Sequence, residues 1–431
     1  MKRPFFLLLV LLLFPAWACC SGSGEPVLEQ VTVISRHGVR TPLKKYMNTL
    51  DALVDKTDPD RQWVQWPAEG GHLTLRGGIL EYASGVYWHG YLEDKGFKCM
   101  PDQVYFCASP KHRTVWSAID FAAGAFPEME IDVQYSGEKD FSDGFLDPDF
   151  LPILCKDPAG NTPFDTTAFQ TEARREMDSI AATLTIPYKF LEDILGIGNS
   201  RYGKDHFCRK LNYNLRFGGE DCLEEPNLKG SGLSDANMAS DAFILQFYEV
   251  ADAKKASFGH DFTFEDWCRI ASVKDAYGRI LFTAPIVAVN ISHKMFIMLR
   301  EELNAPDRKF NFICTHDSMM SAMLAAMRVK PYELPSSIEK DTPIGFQIVL
   351  EKWRKGGRSL GTVSLVYNTI EQIREESPAR MVSNIPAKVK LEFEGLKADS
   401  EGYYQWKDIE DLINHTISAY DLTAKGENPF K

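Results

Sequence analysis

The sequence predicts an α/β fold, a layered domain with a mostly parallel central sheet plus a mostly helical cap insertion. Three observations carry this. In the first and last thirds, short apolar segments rich in β-branched residues alternate with segments of helical period. In the middle third, helix-like segments and polar loops dominate. Finally, three of the apolar strands run directly into turns that carry histidine or arginine, and strand ends are where an α/β sheet presents ligands.

In chain order, Val27-Leu-Glu-Gln-Val-Thr-Val-Ile-Ser35 reads as a buried strand that stops at Arg36-His37-Gly38. Leu73 to Leu92 has helical spacing and opens with Arg76-Gly77-Gly78. Val104 to Ala108 reads as a second strand, followed by Ser109-Pro110 and a helix over about Arg113 to Gly124. The middle holds helical segments at Thr167–Leu184, Pro187–Ile194, Met238–Ala251 and Phe264–Tyr277, between loops rich in Gly, Asn and Pro. A helix over about Ala284 to Leu303 leads to the strand Lys309–Thr315, which ends at His316-Asp317 before the helical run Met319–Met327. Strands at Gly345–Trp353, Gly361–Tyr367 and Val389–Glu394 and a helix at Trp406–Ile417 complete the pattern. No internal repeat or low-complexity segment interrupts it.

Composition sets outer bounds. The 431 residues are 44% hydrophobic and 25% charged, which excludes a mainly disordered, collagen-like or coiled-coil chain. A net charge of −12 argues against duplex nucleic acid as partner, so an anionic substrate needs a local basic pocket. Residues 1–18 read as a signal peptide: Lys2 and Arg3, an apolar run from Phe5 to Phe14, then Ala16-Trp17-Ala18. Export is therefore expected. Cleavage after Ala18 would expose Cys19, ahead of Cys20 and Ser21-Gly22-Ser23-Gly24. Two readings stay open, a periplasmic soluble protein and a membrane-anchored lipoprotein lipidated at Cys19. No later stretch predicts a transmembrane helix. The expected organisation is a signal peptide at 1–18, a flexible linker at 19–26, a discontinuous α/β catalytic domain at 27–145 and 280–431, and a helical cap at 146–279.

Export permits disulfides. Of nine cysteines, Cys208 and Cys222 flank a polar loop and are favoured as a local bridge; the other pairings are open. No cysteine or histidine spacing suits structural zinc. The sequons at Asn290 and Asn414 are expected by chance.

The strongest chemical signal is Arg36-His37-Gly38-Val39-Arg40-Thr41-Pro42 after a buried strand. Two guanidiniums and an imidazole on one turn repel each other unless an anion sits between them. Arginine forks match phosphate oxygens in pairs, and surrounding cations keep an imidazole neutral and hence nucleophilic. Thr315-His316-Asp317-Ser318 is the second signal. Alone, a His-Asp pair reads equally as a capped helix start, but this one also sits between an apolar strand and a helix. Ser109-Pro110-Lys111-His112-Arg113-Thr114 is the third and weakest, with Arg113 able to add another fork.

Together these motifs resemble the histidine acid phosphatases, branch two of the histidine phosphatase superfamily, whose hallmark is RHGxRxP near the N-terminus, HD near the C-terminus and an Arg between. The resemblance spans nearly the whole mature chain. Leu73–Gly78, Arg113-Thr-Val115, Ala123–Pro127, Asp241–Gln246 and Asp341–Gly345 resemble the bacterial periplasmic glucose-1-phosphatases and the related acid phytases. The resemblance implies a phosphoglycerate-mutase-like layered domain. It further implies His37 as a nucleophile that forms phosphohistidine, Arg36, Arg40, Arg113 and His316 as phosphate-binding residues, and Asp317 as general acid. No metal or other cofactor is implied, since several arginines supply the charge neutralisation that phosphoryl transfer needs. An acidic pH optimum follows if Asp317 must start protonated.

Substrate choice is less constrained. Lys44 occupies the place of a substrate-contacting lysine in acid phytases, whereas Gln246–Glu249 looks like the glucose-1-phosphatases. Asp241 or Glu249 on the leaving-group side would repel a highly anionic substrate, and Thr41, Lys44, Asp241 and Glu249 are the substrate-contact candidates; Lys44, Lys45, Asp241 and Glu249 read equally well as solvated surface. A small-molecule phosphomonoester such as glucose 1-phosphate is expected, with phytate as runner-up. Two departures from the family stand out. Leu396–Tyr404 lacks the usual cysteine, leaving Cys99 and Cys155 without their usual partners, and Ser318-Met319 follows the HD. A phosphoryl-transferring mutase and a non-catalytic phosphosugar-binding lipoprotein are the competing readings. The signal peptide and Asp317 argue against the first, and the presence of both nucleophile and acid against the second. The sequence leaves the oligomeric state open.

Overall fold

The computed structural model describes residues 24–136, 147–156, 163–218 and 224–431. The signal segment, Cys19 and Cys222 lie outside the described residues, and with them the expected cleavage site, lipidation site and 208–222 bridge; Cys208 is exposed.

Among the described residues eight strands form one sheet: β1 (Val27–Arg36), β2 (Val104–Ala108), β3 (Val133–Gln134), β4 (Phe310–Thr315), β5 (Gln347–Lys355), β6 (Arg358–Tyr367), β7 (Ala387–Lys390) and β8 (Tyr404–Gln405). Their order is β3-β2-β4-β1-β5-β6-β7, with β8 also pairing β6. The β3-β2-β4-β1 half is parallel. From β5 onward every pairing is antiparallel, so the predicted parallel character is confined to the half that ends at the histidine and arginine turns. The cause is local. Only Gly356-Gly357 separates β5 from β6, with φ of 56° and 77°, and a two-residue turn with both residues in the left-handed region makes a hairpin. A parallel pair would need a long crossover.

Register brings the parallel ends together. Arg36 lies opposite Thr315, and Ala108 opposite Cys314, so β1, β4 and β2 stop level with one another. Successive residues point to opposite faces. Val31, Val33, Phe106, Phe310 and Phe312 share a core with Trp88 and Phe121 of the helices Leu75–Asp94 and His112–Ala125. Ile34, Ile313 and Ile348 belong to the larger core on the other face, which runs into the helices Pro285–Asn304, Asp317–Ala326 and the helix-rich middle. The first two helices cross at Gly85 and Gly124, where a Cβ on either would strike the backbone of the other.

The middle contains the helices Thr166–Thr183, Tyr188–Leu195, Gly232–Glu249 and Phe264–Phe282. Gly232–Glu249 starts six residues earlier than its apolar period suggests, because Gly232 lets the first turn sit against the backbone of His206 and Phe207. Phe264–Phe282 runs past the expected end at Tyr277 and brings Phe282 into the core. The last predicted strand shifts to Ala387–Lys390, and Phe393 instead forms an isolated bridge with Val329. Among the described residues no single helix is long and apolar enough to cross a membrane. The sequon residue Asn290 is 2% exposed and exchanges two hydrogen bonds with the Cys155 backbone.

Candidate active site

The β1 turn is pinned from several sides. His37 N donates to Thr315 O at 3.2 Å, Gly345 N to His37 O at 3.3 Å, and Gly38 N to Ser117 Oγ at 2.9 Å. Thr74, the N-cap of Leu75–Asp94, donates its backbone N to Val39 O at 2.9 Å. Two glycines make this approach feasible: a Cβ on Gly77 would strike Val39 O, and one on Gly38 would lie 2.8 Å from Glu81 Oε1.

His37 is 2% exposed. Its Nδ1 lies 2.9 Å from Gly38 O. A carbonyl only accepts, so Nδ1 carries the proton and Nε2 keeps its lone pair. Burial, then Arg113, Arg36, His316 and Arg40, hold the imidazole well below its ordinary pKa, so it is neutral.

Arg36 lies beneath the turn and is fully buried. Its Nη1 donates to Glu339 Oε1 at 2.8 Å and to Thr342 O at 2.6 Å, and its Nη2 is 3.2 Å from Asp317 Oδ2. Burial opposes the charge, but Asp317 and Glu339 outweigh it and raise the guanidinium pKa. Asp317, the first residue of its helix, also meets Lys274 Nζ at 2.8 Å, and Lys274 reaches Glu339 Oε1 at 3.2 Å. Burial opposes ionisation of Asp317, yet Lys274 and Arg36 prevail and hold its carboxyl well below the usual range. Arg40 donates through Nη2 to Asp241 Oδ2 at 2.9 Å and through Nη1 to Thr41 O at 3.0 Å.

At the end of β4, His316 is held on both sides. Arg113 Nη2 lies 3.3 Å from Nδ1, and Ser109 Oγ lies 3.0 Å from Nε2. A guanidinium only donates, so Nδ1 is the acceptor and Nε2–H points to Ser109. Burial, then Arg113, keep this ring neutral as well. These groups open onto a cleft of about 690 Å³ lined by His37, Arg40, Arg113, His316 and Asp317 at one end.

Comparison with known proteins gives one answer. The family model "Histidine phosphatase superfamily (branch 2)" matches residues 27–368. A glucose-1-phosphatase of Providencia rettgeri is 31% identical over 93% of this chain and 94% of its own length. This chain belongs to branch 2 of the histidine phosphatase superfamily.

It is accordingly a phosphomonoester hydrolase. Phytase AppA of Escherichia coli is 27% identical over 95% of this chain and 96% of its own. The solved phytase of Citrobacter braakii superposes with a TM-score of 0.74 at 23% identity, covering 91% of this chain and 98% of that one, which shows the shared fold.

Within this histidine phosphatase, the structure gathers His37, Arg40, Arg113, His316, Asp317 and Asp241 around the cleft and sets Arg36 directly behind it. Three expected substrate contacts lie elsewhere. Lys44 is exposed and does not line the cleft; its neighbour Lys45 does, because adjacent residues of the tight Lys44–Tyr46 turn splay apart. Glu249 accepts from Thr74 Oγ1 at 2.8 Å. It sits eight residues beyond Asp241, so about 12 Å along the helix and away from the cleft. Thr41 donates to Glu69 O and accepts from Gly71 N at 2.9 Å, fixing the 69–71 loop rather than a ligand. Ser318 lines the cleft, while Met319 is buried in the core.

Sequence reasoning missed Lys274, Glu339, Ser109, Lys111 and Glu225. All but the fully buried Glu339 and Ser109 line the cleft. Of these only Ser109 and Lys111 had a signal, since they flank the Pro110 turn that follows β2.

Proposed function

We propose that this protein is an exported acid phosphatase that hydrolyses phosphomonoesters such as glucose 1-phosphate through a phosphohistidine on His37. The observation that carries this reading is a neutral imidazole whose Nε2 lone pair is free while three arginines stand around it. Buried Nε and Nη2 of Arg36 and Nε of Arg40 make no hydrogen bond among the described residues, and phosphoryl oxygens would satisfy them.

In the first step Nε2 forms the N–P bond as the P–O bond to the leaving group breaks, and the Asp317 proton passes to the departing oxygen, giving the alcohol. In the second, water attacks phosphorus as the N–P bond breaks and its electron pair returns to Nε2, and Asp317 takes the water proton and passes it to the departing phosphate. Inorganic phosphate then leaves and His37 is again neutral. The proton on Asp317 has a natural source. Below a second phosphate pKa of about 6 a monoester arrives with one proton. Passing it to Asp317 leaves a dianion facing the arginines and a carboxylic acid facing the leaving oxygen.

The outer cleft supports a small, otherwise uncharged leaving group. Glu224, Asp235, Asp241 and Asp341 line it with carboxylates, beside Glu225 and Asp275, whose pKa values burial pushes up, that of Asp275 to about 8. Carboxylates accept hydrogen bonds from sugar hydroxyls and repel the remaining phosphates of a polyphosphate. A phytase reading is the alternative, favoured by Lys45, Lys111 and Lys229 on the same walls. Phosphate release at acid pH from glucose 1-phosphate and phytate, side by side, separates the two. Preference for phytate moves the weight to the lysines, and release from neither overturns the reading.

The rest of the expected organisation belongs to the same proposal. Residues 1–18 direct export, with Cys19 the lipidated residue if the protein is anchored. The α/β part (27–145 and 280–431) carries the catalytic turns, the cap (146–279) carries most of the acidic residues of the outer cleft, and Cys208 pairs with Cys222. Mass measurement of the mature N-terminus and of the 208–222 peptide tests these points.

A further inference from the structure

Asp317 is surrounded unlike a resting acid. Its Oδ2 lies 2.8 Å from Lys274 Nζ and 3.2 Å from Arg36 Nη2, and its Oδ1 accepts from Ser318 N at 2.9 Å. The two cations differ in freedom. Arg36 is fully buried and committed through Nη1 to Glu339 and Thr342, so its position is fixed. Lys274 reaches in from the middle of Phe264–Phe282, lines the cleft, and has a second partner in Glu339 Oε1 at 3.2 Å. An ammonium on a four-carbon stem, with three donors, can leave one carboxylate and keep the other.

We propose that Lys274 is a positioning residue for Asp317: it holds Oδ2, and its retreat onto Glu339 when substrate binds frees that oxygen to take and deliver the leaving-group proton. The inference rests on the reading of Asp317 as proton donor. No residue beyond this chain is needed, since the proton arrives on the substrate and departs with the alcohol.

Other charges face the pair: Arg40, from the turn after β1, is paired with Asp241, Arg279 of Lys274's own helix is paired with Asp341, and Lys45 and Lys111 line the same cleft. Arg36 comes from β1 and Arg113 from His112–Ala125; Glu339 and Asp341 come from the loop before β5. Asp241 comes from Gly232–Glu249, Asp275 from Lys274's own helix, and Glu225 from the loop ahead of them. His37, His316 and Tyr277 complete the ring. Of the charges that favour ionisation of Asp317, Lys274 acts most strongly, ahead of Arg36, so removing the ammonium must make Asp317 hold its proton to higher pH. Burial and Arg36 oppose the Lys274 charge, but Asp317 and Glu339 outweigh them, so it is an ammonium throughout the working range.

The test is the pH profile of kcat/KM, which reports the free enzyme, for glucose 1-phosphate and for p-nitrophenyl phosphate, whose phenolate leaves with little help from a proton. Lys274→Met is expected to move the alkaline limb up by about one pH unit or more for the sugar phosphate, and far less for the aryl phosphate. Lys274→Arg is expected to keep the wild-type limb. An unmoved limb in Lys274→Met overturns the proposal, as does an equal movement with both substrates or an arginine variant that behaves like methionine. If circular dichroism shows Lys274→Met unfolded, Lys274→Gln replaces it under the same criteria. Asp317→Asn is the separate control: wild-type kcat on glucose 1-phosphate in that variant removes Asp317 as donor, whatever Lys274 does.

Discussion

Two histidines stand at neighbouring strand ends, and their surroundings make them different reagents. Their rings are 5.5 Å apart and both are neutral. His37 spends Nδ1–H on the carbonyl of its own turn and keeps Nε2 unbound. His316 spends both nitrogens, accepting from Arg113 and donating to Ser109. The first turn leaves a lone pair for phosphorus; the second holds a guanidinium in place. The tautomer, set by which neighbour can only accept or only donate, therefore assigns the parts more sharply than the residue type does.

If that contrast is right, the two positions must fail differently. His37→Ala is expected to lower kcat by on the order of 10⁴-fold or more, with no acid-labile phosphoenzyme trapped from labelled substrate. Activity near wild type in that variant ends the phosphohistidine reading. Asp317→Asn should cost about 10²–10⁴-fold on glucose 1-phosphate and much less on p-nitrophenyl phosphate, since only the poor leaving group needs a proton. Equal losses on both substrates would mean that Asp317 holds charge in place rather than donating. His316→Ala ranks third. A loss of about 10- to 100-fold in kcat/KM is expected, with phosphoenzyme still detectable, because Arg113 loses its hold but the nucleophile remains. A His316 variant as dead as His37→Ala, with no trapped intermediate, would erase the distinction.

Surroundings of this kind are only partly legible in a sequence. The β1, β2 and β4 strands could be read because each is a short apolar run that stops at a polar turn. His37, Arg40, His316 and Asp317 could be read because the turns are contiguous in the chain. Lys274 and Glu339 could not. Lys274 reaches Asp317 from a helix, and Glu339 holds Lys274 and Arg36 from a loop, and the local patterns of these segments look like an ordinary amphipathic surface and a connection. Lys44 and Glu249 show the opposite error, where residue type and neighbourhood were right but the direction of the side chain was wrong by one residue or by two helical turns. The sheet followed the same rule. The parallel half follows from strands separated by helices, whereas the β5–β6 hairpin of the antiparallel half turns on a single Gly356-Gly357 step.

The smallest effect tests the contrast most finely. Ser109 Oγ is the acceptor for His316 Nε2–H at 3.0 Å, and both groups are buried. Ser109→Ala leaves that N–H without its partner, at a cost of roughly 1–3 kcal/mol in a buried site. The imidazole has one way to recover, which is to shift its proton to Nδ1. That nitrogen then points a donor at Arg113, which also only donates, so the pair separates and Arg113 loses its anchor at 3.3 Å. We therefore expect a fall of a few fold in kcat/KM carried mainly by KM, with kcat little changed and thermal stability slightly lower. Ser109→Thr, which keeps the hydroxyl, should restore both. A Ser109→Ala enzyme with unchanged KM would mean that Arg113 is held by its other contacts, and that the His316 tautomer is a consequence of the site rather than one of its working parts.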